Sequence, residues 1–274
     1  MLLSLGCIAL FGLTACADAL DEKSFSFADE TTISDSNEGA QQWVTGAYSA
    51  LTYEVFRWDA FPHVLDFDCD YMRGPDWAFG KFGSGNFQDD DHAQQMWEKL
   101  YNIIHRCNLA IENIEPMKNA SVAAKNNALG EAYFLKSYAY FLLVRAFGDL
   151  PIRDYTINSG LQDLQQPRQS VDSVYHYIIG MLQKGETMMY KNTDKDFVLG
   201  HASAGAAASL LAKVYLTMAS GAVPTGEKVI VRGGKPYQYV NGERVYTSPV
   251  AIEHTKTQLA GYEKFDSKAY FTLA

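Results

Sequence analysis

Residues 130–151 read Gly130-Glu131-Ala132-Tyr133-Phe134-Leu135-Lys136-Ser137-Tyr138-Ala139-Tyr140-Phe141-Leu142-Leu143-Val144-Arg145-Ala146-Phe147-Gly148-Asp149-Leu150-Pro151. Leu129, Ala132, Tyr133, Tyr138, Phe141 and Leu142 recur at helical spacing, and helix formers dominate the run. Gly148 just past the last periodic residue, with Pro151 soon after, is a helix stop: glycine accepts the left-handed turn and proline cannot continue the ladder. Working back, the pattern predicts one helix over 120–147. A second apolar stripe precedes it, from His92 through Trp97, Leu100, Tyr101, Ile104, Cys107, Ile111 and Ile114, and Pro116 ends it. Two long amphipathic helices joined by so short a loop are expected to pack as an antiparallel hairpin, because neither stripe is otherwise buried.

The pattern recurs downstream. Ser170 is positioned to cap a helix bearing Val171, Val174, Tyr175, Ile178 and Leu182, and an alanine-rich helix follows over 203–219. Stacked hairpins of this kind resemble tetratricopeptide repeats, although the units are farther apart than the roughly 34 residues of a regular repeat. Upstream, Trp43, Val44, Ala47, Tyr48 and Leu51 predict a first helix over 38–54, with Ser36 and Asn37 as candidate caps. The fold class is therefore all-α, with irregular excursions. One excursion, 55–90, holds four glycines, two prolines and nine aromatic residues and breaks all periodicity. Structureless stretches of that length are often functional. Another, over 221–258, carries β-branched and aromatic residues around Asn241-Gly242, a strong hairpin signal, and predicts a small two-stranded insertion. A further helix is expected to begin near Asp266.

The N-terminus has a different character. Residues 1–15 are almost wholly apolar and end in Leu13-Thr14-Ala15-Cys16, after which Asp18, Asp21, Glu22 and Lys23 follow abruptly. The run is shorter than the roughly 20 residues a membrane span needs, so it reads as an export signal, although no basic residue precedes Cys16. Leu13-Thr14-Ala15-Cys16 resembles a bacterial lipobox, which implies a lipid-modified Cys16. An ordinary signal that happens to include a cysteine is the alternative. Residues 16–37, rich in Ser, Asp, Glu and Thr, read as a tether.

With 47% hydrophobic and 13% aromatic residues over 274 positions, the chain supplies a sizeable core. Its net charge of −9 lacks the clustered Lys and Arg of a nucleic-acid groove. Of its four cysteines, Cys7 falls in the signal and Cys16 at the anchor, leaving Cys69 and Cys107. Cys107 falls on an apolar helix face and reads as a small buried side chain, while its pairing with Cys69 stays open.

The 130–151 stretch closely resembles the signature helix of the SusD/RagB family. Agreement extends to Trp97, Leu100, Tyr101, Ile104, Arg106 and Asn108 before it, to Arg168, Ser170, Val171, Tyr175 and Ile178 after it, and to Ala212-Lys213-Val214-Tyr215-Leu216. The resemblance implies tetratricopeptide-like hairpins in a right-handed superhelix, anchored to the outer membrane at the cell surface through lipid on Cys16. It also implies docking as a lid over a SusC-like, TonB-dependent transporter barrel. Family members bind glycans or, in some branches, peptides, and no cofactor is implied. Typical members continue for a second half, so 38–274 reads as the N-terminal helical-repeat domain, incomplete at its C-terminus.

A sugar ring presents apolar faces and a belt of hydroxyls, so its site needs flat aromatic platforms beside planar hydrogen-bonding groups. The excursion over 55–90 offers both: Trp77 and Phe79 as platforms, and Asp70, Arg73 and Asn86 as hydroxyl partners. Trp77, Phe79 and Phe82 packing the excursion onto the helices is the competing reading. Asp66-Phe67-Asp68-Cys69-Asp70 alternates carboxylates, but Tyr71 stands where a calcium loop requires glycine, and no metal is assigned. Three other classes stay open: a peptide-binding member of the same family, a secreted glycosidase using two carboxylates, and a helical scaffold that binds only proteins. Against an enzyme, nothing resembles a His-Glu-x-x-His metal motif, the six histidines lie far apart, and 221–228 fails as a phosphate loop because Glu227 stands where lysine is required.

Overall fold

Serine starts four of the helices. In the computed structural model, which describes residues 33–52, 91–156, 160, 165–233 and 237–274, Ser36, Ser121, Ser170 and Ser203 each stand in extended backbone. Each accepts a hydrogen bond from the N–H three residues on, satisfying a donor that the first helical turn would leave orphaned. They open α1 (Asn37–Ala50), α3 (Val122–Phe147), α4 (Val171–Met188) and α5 (Ala204–Gly221). Helix α2 (Asp91–Ile114) lies between the first two, and Asp266 caps α6 (Ser267–Leu273).

The helices pack in chain order: α2 on α3, α3 on α4, α4 on α5 and α5 on α6, with α1 laid across α2 and α3. The two expected hairpins, α2–α3 and α4–α5, are therefore present and stacked. Helix α1 runs antiparallel to α2, because Asp35 and Asn37 at its start bond the loop after α2, whereas Gly46 near its end meets Arg106.

Helix α3 departs from the expected amphipathic stripe. It is buried on nearly every side, from Asn127 to Tyr133 and from Ala139 to Val144 without interruption. The cause is its central position, with α1 and α2 on one side and α4 and α5 on the other. Tyr140, Phe141 and Leu143 are fully buried, Tyr133 is nearly so, and Tyr138 packs at the margin, so these are core residues. Cys107 is a free, buried thiol, and burial pushes its pKa up to about 12, which leaves it unreactive.

The insertion is larger than the two strands expected. Strands β1 (Lys228–Gly233) and β4 (Val250–Thr255) form one antiparallel ladder, and β2 (Tyr237–Val240) and β3 (Glu243–Tyr246) form a second, nested within it in sequence. The β2–β3 turn is Asn241-Gly242, with φ of 53° and 86°. Both values lie in the left-handed region that a two-residue primed turn demands and that Asn-Gly tolerates. Beyond the insertion the chain returns to the helices: the Tyr262 hydroxyl meets that of Tyr175 at 2.6 Å, and Phe265 packs edge-on against both rings.

Candidate functional site

The residues following α3 explain why its signature ends as it does. Phe147 packs edge-on against Trp97 at 5.2 Å, and Gly148 turns the chain at φ 70°. Asp149 then places Oδ1 where it accepts from the N–H of Val171 at 2.9 Å, adding a carboxylate at the positive end of α4. Leu150 is fully buried and pairs with Gln169 through two backbone hydrogen bonds, and the Pro151 carbonyl accepts from Tyr101 at 2.8 Å. Arg168 bonds the Asp149 carbonyl and stacks over Trp97 at 5.1 Å. Phe147-Gly148-Asp149-Leu150-Pro151 is thus the joint that fixes one hairpin on the next.

Two polar networks, each built on a buried charged side chain, hold this joint and its surroundings. In the first, Glu131 on α3 is 1% exposed and accepts from Asn127 Nδ2 at 2.6 Å, while His201 Nδ1 lies 2.7 Å from its other oxygen. His201 is also 3.1 Å from the Gln41 amide and packs edge-on against Tyr48, whose hydroxyl accepts from the N–H of Ala202. One carboxylate therefore ties α1, α3 and the α4–α5 connection together. Burial is the largest influence on Glu131 and raises its pKa, with the hydrogen bond from His201 opposing. In the second network, Lys136 is 3% exposed, 3.4 Å from Asp154, and lies over the Tyr177 ring. Burial lowers the pKa of Lys136, and Asp154 counters it. Glu112 accepts from both the N–H and the hydroxyl of Thr156, and the Tyr140 hydroxyl accepts from the N–H of Arg153. The second network pins the 149–156 strap, with Lys136 buried and Asp154 at its solvent edge.

One accessible feature of the described helices is a groove of about 780 Å³ between α1 and α2, within the size range of small-molecule sites. Glu38, Gln42 and Thr45 line it from α1 and Asn102, His105 and Arg106 from α2. These are the solvent-side positions at helical spacing, opposite the stripe Ala40, Val44 and Ala47 that faces the core. Arg106 is held in place by Asn102 Oδ1 at 3.1 Å and by the Gly46 carbonyl at 3.3 Å. Amide, guanidinium, imidazole and hydroxyl groups in one groove suit a polyhydroxylated ligand.

The sequence-derived contacts Asp70, Arg73, Trp77, Phe79 and Asn86 lie outside the described residues, as do Cys16 and Cys69. Sequence reasoning missed the groove and the Glu131 network. A signal for the network was available: Asn127 and Glu131 stand four apart within the apolar run around Ala128, Leu129 and Ala132, and a carboxylate so placed needs a partner. Among the described residues no cluster of His, Cys, Asp and Glu is arranged to hold a metal ion, and no helix is long and apolar enough to cross a membrane.

A SusD-like family model, described as "Starch-binding associating with outer membrane", matches residues 18–216. The chain belongs to the SusD-like family. A SusD-like protein of Formosa agariphila, P2, is 26% identical over 220 residues, covering 77% of this chain and 42% of that protein. A SusD-like protein of Bacteroides ovatus is 31% identical over 130 residues, covering 46% and 23%. Among solved structures, a SusD homologue from Bacteroides thetaiotaomicron superposes with a TM-score of 0.61 at 25% identity, covering 70% of this chain and 39% of that one. Another neighbour, solved with xylogluco-oligosaccharide, superposes with a TM-score of 0.56 at 25% identity, covering 68% and 35%. This SusD-like chain thus spans between about a quarter and two fifths of the length of these relatives. The expected helical architecture agrees with these neighbours.

Proposed function

We propose that this SusD-like chain captures nutrient glycans at the cell surface and passes them to a TonB-dependent, SusC-like transporter barrel, with no catalysis of its own. The observation that carries the reading is the family match over residues 18–216, in a family described as starch-binding and outer-membrane associating. The neighbour solved with an oligosaccharide supports the ligand class.

In this account residues 1–15 are the export signal, Cys16 carries the lipid, and 16–37 form the tether to the helical body over 38–274. More than one acyl chain on Cys16 makes the anchoring stable, since a single chain binds only marginally. Trp77 and Phe79 supply the sugar platforms, and Asp70, Arg73 and Asn86 the hydroxyl partners. The α1–α2 groove adds planar donors and acceptors on a rigid support.

Affinity purification of the full chain from gently solubilised membranes tests the transport half of the reading. The expected result is copurification of a large β-barrel, with radiolabelled lipid on the wild type and none on Cys16→Ala. Recovery of the chain alone, or of an unlipidated wild type, contradicts it.

A further inference from the structure

The β2–β3 hairpin gathers its aromatic side chains on one face. The register sets Tyr237 opposite Tyr246 and Tyr239 opposite Arg244. Because side chains alternate along a strand, these four share a face, and Gln238, Val240, Glu243 and Val245 share the other. Within the patch Tyr237 is the support: the Arg244 guanidinium lies over its ring at 4.7 Å, and Tyr239 and Tyr246 meet it edge-on at 5.6 and 6.2 Å. Arg244 Nε also donates to the Tyr239 hydroxyl at 3.2 Å. These contacts hold the four side chains in one arrangement and leave the outer rings open to solvent: Tyr239 is 62% and Tyr246 76% exposed.

The hairpin makes no use of this face in packing on the helical body, since every residue of β3 is exposed. Aromatic rings held in water without a partner mark an interaction surface more often than a structural one. The cation gives that surface its chemical character. Among the described residues no carboxylate pairs with Arg244, and its neighbour Glu243 belongs to the opposite face. With Nε engaged by Tyr239, the terminal guanidinium nitrogens remain as a donor pair suited to a carboxylate. The paired strands lie about 4.8 Å apart and same-face residues about 7 Å apart, so the patch matches one or two pyranose rings.

We propose that the Tyr239–Arg244–Tyr246 face is a glycan subsite for a uronate-bearing saccharide, with a pyranose ring stacked on tyrosine and its carboxylate on Arg244. The subsite rests on the glycan-capture reading and deepens it by naming an acidic substituent. It occupies a stretch of sequence separate from Trp77 and Phe79, so the two can be tested apart.

The test is calorimetric titration of the purified full chain with oligogalacturonates and with neutral cello-oligosaccharides of equal length, at low and physiological salt. Arg244→Gln and the Tyr239→Ala, Tyr246→Ala double variant are titrated alongside. All three positions are on the surface, so unchanged thermal melting establishes that the variants fold. The expected result is oligogalacturonate binding that weakens with salt and falls roughly ten- to hundred-fold in Arg244→Gln, the range for losing a hydrogen bond to a charged group. Neutral ligand binding is expected to be insensitive to that change. Equal oligogalacturonate affinity in wild type and Arg244→Gln overturns the subsite. Neutral binding without acidic binding overturns the subsite and leaves glycan capture standing, whereas no binding of any glycan overturns both. Loss of barrel copurification in the tyrosine variant, with saccharide affinity unchanged, assigns the face to protein docking and likewise overturns the proposal.

Discussion

Gly130 on α3 and Gly185 on α4 face each other where the two hairpins cross: a Cβ on Gly185 would stand 3.0 Å from the Gly130 carbonyl oxygen. A Cβ on Gly130 would stand 2.6 Å from Met189 Cγ and 3.1 Å from the Gly185 carbonyl oxygen. Neither glycine has a positive φ, so closeness of backbones, and not turn geometry, is what selects them.

Gly185→Ala is therefore expected to destabilise the chain by about 1–3 kcal/mol through overpacking at the crossing. Gly180 in the same helix has no atom within 4 Å of its would-be Cβ, and Gly180→Ala is expected to stabilise by about 0.4–1 kcal/mol through the unfolded state. Denaturant melts of the two variants should move in opposite directions. Matching shifts would mean that the crossing is looser than described.

Glu131 has a raised pKa, so the folded chain holds its proton more tightly than the unfolded chain does. That contribution is full below the ordinary glutamate value and is lost as pH rises through the raised one. The wild type should then lose stability relative to Glu131→Gln as pH increases from about 4.3, the ordinary value. Thermal melts across pH 4 to 8 check this, and a wild-type advantage that grows with pH would contradict it. Glu131→Ala, which strands Asn127 and His201, should cost about 1–3 kcal/mol.

Asp35 behaves in the opposite sense. The backbone N–H of Lys118 is the chief cause that lowers its pKa, followed by that of Asn119. The stabilisation is present above the ordinary aspartate value and lost as pH falls through the depressed one. Asp35→Asn should be less stable than wild type at pH 7, with the gap closing on acidification. A gap that stays constant down to pH 2 would mean that the carboxylate charge is not what secures the start of α1.

Asp149→Ala should cost about 0.5–2 kcal/mol, as for loss of a side-chain acceptor at a helix start, because Val171 loses its acceptor at the head of α4. Hydrogen exchange should show the faster opening first in the opening turn of α4. Uniform loosening of α1 through α5 would instead mark a global effect.

The starts at Ser36 and Ser170 were legible because a capping serine is a local signal, and the helix near Asp266 was read the same way, whereas Ser121 as a cap went unread. The burial of α3 on all sides was not legible, since periodicity reports the face of a single helix and not how many neighbours surround it. The β1–β4 ladder was missed for a related reason: Lys228 pairs with Thr255 across a nested hairpin, and nothing local to Val250–Thr255 announces a distant partner. By contrast, the β2–β3 turn was readable from Asn241-Gly242 alone. The candidate contacts Asp70, Arg73, Trp77, Phe79 and Asn86 rest on residue type and on the breaks around them, which indicate a loop but not the directions of its side chains. The α1–α2 groove was invisible because Gln42 and Asn102 look like ordinary solvent-facing residues until two helices set them side by side.

Glycan capture without turnover is the central claim, and titration of the purified full chain with xylogluco-oligosaccharide and a panel of neutral oligosaccharides tests it most directly. The account predicts saturable binding of at least one glycan, no released product, and loss of binding in the Trp77→Ala, Phe79→Ala variant. Release of shortened glycan, or a folded chain that binds no glycan at all, would contradict it.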